Sequence, residues 1–149
     1  GKALITLKSG DTVLLAKNTR LSAEQVDNEA TLSRLVMKVV GKIRAQIQKT
    51  QNRNIRFATP NAVIGIKGTD FVVEFKEKET TVATVEGLVN LQSAGSQNEV
   101  DIPPGKMSSI SAEGEVMPLR DIAGDIMTDV EIAGQKLSES DISGERVDM

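Results

Sequence analysis

At 149 residues, 39% of them hydrophobic, the chain is long enough for one domain around a single core. It contains no His and no Cys, which excludes imidazole bases, thiol nucleophiles, disulfides and the common transition-metal sites. The net charge of -3 conceals an asymmetry. No Asp or Glu lies between Ala30 and Thr69 while eight Lys and Arg do, and from Glu113 onward ten acids face three bases. Such regions attract each other within a fold or steer partners of opposite sign.

Three Phe and no Tyr or Trp leave the core to Val, Ile, Leu, Met and Ala, a set rich in β-branched residues that suit a pleated surface. No apolar run approaches the roughly 20 residues of a membrane span, and the start Gly1-Lys2-Ala3 is read as following a removed targeting segment.

Lys2 to Leu7 and Thr12 to Leu15 flank a Ser-Gly-Asp turn and predict a hairpin. Asn18 to Asp27 reads mostly as loop, with room for a strand at Arg20 to Ala23. Arg34 to Lys49 carries good helix formers, but Ile43, Ala45 and Ile47 alternate with Lys42, Arg44, Gln46 and Gln48. Two strands separated near Gly41 are expected, with a helical turn before Gly41 as the other reading. Gln51 to Asn54 is a loop leading to Ile55-Arg56-Phe57.

Thr59 to Phe75, TPNAVIGIKGTDFVVEF, is the stretch around which the chain is organised. A proline opens it, an apolar strand follows, Gly68 makes a sharp break, and Phe71, Val73 and Phe75 alternate with Val72 and Glu74. Lys76 to Glu79 is a charged turn, Thr81 to Val85 a strand, Glu86-Gly87 a corner and Leu88 to Leu91 a strand. Ala94 to Asn98 and Pro103-Pro104-Gly105 are turns on either side of Val100 to Ile102, and Met107 to Ser111 is a last strand. Short strands about ten residues apart predict an all-β fold, a two-layer sandwich, jelly roll or short β-roll.

From Leu119 the apolar residues Ile122, Ile126, Val130, Ala133 and Leu137 follow at helical spacing, predicting an acidic amphipathic helix despite Gly124 and Gly134. Ser138 to Met149 reads as a disordered acidic tail. The expected division is a β domain over residues 1–115 and an acidic extension over 116–149.

Little of this pattern points to catalysis. Glu74 and Glu86, on neighbouring strands, are the one carboxylate pair a glycosidase could use, and solvent-facing strand positions are the plainer reading. Asp11 and Asp27 lack the alternating oxygen ligands of a calcium loop and read as turn formers. Gly65-Ile66-Lys67-Gly68-Thr69 has its Lys before the Gly and a strand after it, the wrong order for a phosphate loop. The basic face of Lys42 and Arg44 could track phosphates, but stacking aromatics are missing and the pI is 5.1. No nucleic-acid partner, cofactor, metal or catalytic residue is expected; the basic face is read as solvated or as docking the acidic C-terminal segment.

The central stretch resembles the FecR family in Thr59-Pro60-Asn61-Ala62, Gly65-Ile66-Lys67-Gly68-Thr69 and Asp70-Phe71. Gly10-Asp11, Gly41-Lys42, Val85-Glu86-Gly87 with Val89, and Pro104-Gly105-Lys106 extend the likeness over about Lys2 to Ser111. The resemblance implies a β-rich periplasmic or extracellular module. In the regulators that name the family, such a domain follows a sigma-binding part and one membrane span, and receives a signal from an outer-membrane transducer. Neither segment lies in this chain, so membrane attachment would come only through segments outside it. Thr59, Pro60, Gly65, Gly68, Thr69, Phe71 and Gly87 are read as the structural motif. Lys42, Arg44 and Arg56 are the candidate contacts to another envelope protein. The expected function is non-catalytic interaction and signalling, with a polysaccharide-binding or scaffold module as the alternative.

Overall fold

The computed structural model describes residues 3–6, 11–27, 33–48 and 55–131. Among these residues ten strands join in one open, mixed sheet: β1 (Ala3–Thr6), β2 (Thr12–Leu15), β3 (Arg20–Asp27), β4 (Ser33–Ile47), β5 (Ile55–Thr59), β6 (Ala62–Lys76), β7 (Glu79–Ser93), β8 (Glu99–Ile102), β9 (Lys106–Ile110) and β10 (Arg120–Asp121). The all-β expectation holds. Among the described residues every strand pairing is antiparallel except that of β4 with β5.

The three 15-residue strands β4, β6 and β7 each run through both halves of the molecule. Before Gly41, β4 pairs with β3 and β5; from Gly41 on it pairs with β6, and from Ile43 also with β2. One half therefore has the order β3-β4-β5-β6-β7-β8, and the other β1-β2-β4-β6-β7-β9-β10. Phe57 in the first half and Phe71 in the second meet edge to face, with ring centroids 5.1 Å apart. The sheet has thus folded over on itself, and both halves bury the same face in one cluster that includes Val39, Ile43, Ile64, Val73, Val82 and Leu91.

Keeping one face inward across the fold requires a change of parity in β6 and β7. On β6 the inward residues are Ala62 and Ile64, then Phe71 and Val73. On β7 they are Val82, then Val89 and Leu91. Register shifts between Lys67 and Phe71 supply the odd residue, since a bulge lets a strand bend without turning its apolar set to solvent. Gly68 at φ +54 and Gly87 at φ +85 are the bulge partners, and a Cβ on Gly87 would collide with the Gly68 carbonyl oxygen.

The hairpin of β1 and β2 forms as expected, its turn lying outside the described residues, as does Gln51 to Asn54. Three expectations are corrected. Asn18 to Asp27 is mostly strand, because β3 pairs over eight residues with β4. The breaks near Gly41 and at Gly68 are bends within continuous strands, since partner exchange keeps the ladder hydrogen-bonded on both sides. The helix from Leu119 is not formed through Glu131; Arg120–Asp121 pairs with β9, and only Gly124–Met127 makes a 3-10 turn. Ile126 and Val130 are buried there against Val72, Ala83 and Met107. Their spacing serves a strap laid on the sheet, and packing overrides the weak helix propensity around Gly124. Residues 132–137 of that expected helix lie outside the described residues.

Candidate functional site

The motif residues tie the ends of strands together. Pro60 and Asn61 form the two-residue turn between β5 and β6. The Thr59 and Thr80 hydroxyls meet at 2.6 Å, and Thr80 in turn donates to Asn61 Oδ1. The Asn61 amide donates to the carbonyls of Lys78 and Ser111, both at 3.1 Å. One side chain thereby joins three turns at one end of the domain. At the bulge, Thr69 Oγ1 accepts from the Lys67 amide and donates to the Leu88 carbonyl, both at 3.2 Å. It satisfies backbone groups that the ladder leaves over.

Strand parity sends Lys42 and Arg44 to the outer face of the second half, beneath the strap of residues 116–131. Arg44 is 2% exposed and grips Asp70 in a fork, Nε to Oδ1 and Nη2 to Oδ2, both at 2.9 Å. It also reaches the Val130 carbonyl at 3.4 Å. Gln46 adds a bond to Asp70 at 3.2 Å. Lys42 Nζ donates to the carbonyls of Asp125 and Thr128 at 3.2 and 3.0 Å, and lies 4.0 Å from Glu74. Both cations thus hold the chain's own strap by its backbone. Lys106, hydrogen-bonded to Asp121 at 2.6 Å, fastens the strap's start and holds the Asp121 carboxyl below the usual carboxylate range.

Arg56 is not brought to these two. It lies on the opposite outer face, that of the first half, in a cleft of about 570 Å³ lined also by Gly65, Lys67, Leu88, Asn90, Glu99 and Asp101. Glu74 and Glu86 are also apart. Glu86 pairs with Asp70, four residues along β6 from Glu74, or about 13 Å, beyond the separation glycosidases use. The Gly65–Thr69 segment is strand and bulge and opens no helix. Asp11 is fully buried and accepts the Gln48 amide at 2.7 Å, closing the end of β4.

Two residues to which the sequence reading gave no role beyond the family likeness matter most to this arrangement. Asp70 is the carboxylate that Arg44 requires, and its side of the sheet depends on the bulge. Asn61 was readable only as a turn former, although the Thr-Pro-x-Ala frame marked its position.

The domain is a folded-over β-sheet with paired glycines at its bends, and no helix among the described residues is long and apolar enough to cross a membrane. The chain belongs to the FecR family: the family model described as FecR protein matches residues 1–90. Its fold is similar to that of a proposed anti-sigma factor from Parabacteroides distasonis ATCC 8503. That crystal structure matches with a TM-score of 0.67 and 14% identity over 81% of this chain and 56% of that one. A second gives 0.65 and 15%, over 81% and 55%. The chain spans a little over half the length of those proteins. No curated protein matches it.

Proposed function

We propose that the chain is a non-catalytic protein-interaction module of a cell-envelope signalling system. It would act on the extracytoplasmic side of a regulator that controls a sigma factor, of which an iron-uptake circuit is one form. Membership in the FecR family carries this reading. The fold it shares with the Parabacteroides protein supports it. In this reading residues 1–115 are the signal-receiving domain, and the described part of 116–149 is its strap. Periplasmic placement follows from the same family and is part of the proposal.

The test is overproduction of the chain, exported to the periplasm of its own host, followed by transcript profiling. A change confined to genes under an extracytoplasmic-function sigma factor is the expected result. An unchanged profile from an exported, folded chain contradicts the regulatory role.

A further inference from the structure

Gly65 has no packing reason to be glycine. Its φ is not positive, unlike those of Gly41, Gly68 and Gly87. A Cβ there would meet only Asn90 Cβ, at 3.9 Å, an ordinary contact. Yet glycine in a strand interior costs stability, and where the fold does not need it, it commonly marks close approach by another chain or ligand.

The surroundings of Gly65 indicate what approaches. Strand register places Arg56, Gly65, Asn90 and Asp101 on one row across β5, β6, β7 and β8. The row is three strand spacings long, about 14 Å. A cation stands at one end and a carboxylate at the other, with Gly65 as the low point between them. Lys67 adds to the basic side and Glu99 to the acidic side of the same cleft. Asn90 donates to Asp101 at 2.9 Å, which draws its side chain toward the acidic wall and away from the gap over Gly65. Apolar surface comes from Ile66 and from Leu88, which is 46% exposed.

We infer that this row is a docking site for an extended protein segment lying across the strands. Its acidic side chain sits against Arg56 and Lys67, and its basic side chain, about four residues away, sits against Glu99 and Asp101. The carboxylate wall repels a nucleic-acid backbone. A sugar would find no ring to stack on, since none of the residues lining the cleft is aromatic. The inference names a surface for the interaction module proposed above and in that sense rests on it.

The probes are blocked seven-residue peptides titrated against the full 149-residue chain by fluorescence anisotropy. One has Asp and Lys four positions apart in a Gly/Ser background; the others are its neutral and its all-acidic counterparts. The dipolar peptide is expected to bind about tenfold more tightly than either, and to weaken about tenfold in Gly65→Leu and in Asp101→Lys. Asp101 is exposed, so the second variant keeps the fold if the first does not. Equal binding of the three peptides, tighter binding of the all-acidic one, or undiminished binding by folded Asp101→Lys would overturn the site. The transcript profile reads regulation in the host and the titration reads binding at this cleft, so either result can fail while the other stands.

Discussion

Gly87 lies directly over the carbonyl oxygen of Gly68, and a methyl group at Gly87 has no room there. Both residues also sit at positive φ. Substitution should therefore act on the fold. Gly68→Ala is expected to cost about 1–2 kcal/mol for its left-handed backbone. Gly87→Ala should cost about 2–4 kcal/mol, because the obstacle is backbone and cannot swing aside. Gly65→Ala should stay within about 0.5 kcal/mol of the parent. Urea unfolding of the three variants checks the order, and equal losses at residues 65 and 87 would contradict it.

The Arg44–Asp70 fork is the most buried ion pair on the described surface, with side chains 2% and 13% exposed. Removing one partner takes the two forked bonds from a charge that stays largely shielded from water. Arg44→Met and Asp70→Leu are each expected to cost about 3 kcal/mol, and the double variant much less than the sum. A double-mutant cycle in urea measures the coupling. Additive losses would show that the fork contributes little beyond packing.

Ile126 and Val130 hold the strap to the sheet through burial. Ile126→Ala is expected to weaken the strap's hold on the sheet by about 2–4 kcal/mol. It should also speed hydrogen exchange on the outer face at Val72 and Ala83 more than in the Phe57 region. A uniform rise in exchange would mean that the strap has no separate opening.

Because the folded-state carboxyl of Asp121 lies below its ordinary value of 3.8, owing to Lys106, the contact contributes in full above that value and is lost as the pH falls from there through the lower folded-state value. Asp121→Asn should remove this acid-side dependence, lowering stability slightly near neutrality and changing nothing at the acid end, where the parent's carboxyl is protonated too. Stability of the variant and the parent compared from pH 6 down to about 2 tests the sign.

Much of the fold was legible because strand alternation and turn chemistry are local. The hairpins around Pro60 and Glu77 stand where Thr-Pro-Asn-Ala and Lys-Glu-Lys-Glu put them, and Pro-Pro-Gly makes its turn between β8 and β9, which both pair with β7. Continuity was not legible. Gly41 and Gly68 look like stops, and only their exchange of partner strands shows that the ladder passes through. The apolar spacing of Ile122, Ile126 and Val130 fits a helix as well as a strap, and the choice is made by an apolar patch on strands far away in sequence. Arg56 could not be separated from Lys42 and Arg44 by charge alone, because the two outer faces diverge only once the sheet folds over.

Backbone amide shifts of the labelled chain, followed by NMR during titration with the dipolar peptide, test the central claim most directly. The account predicts that the largest changes fall on Arg56, Gly65, Lys67, Asn90 and Asp101, with Lys42, Arg44 and Val130 unmoved. Changes centred on the strap face, or scattered without a focus, would contradict it.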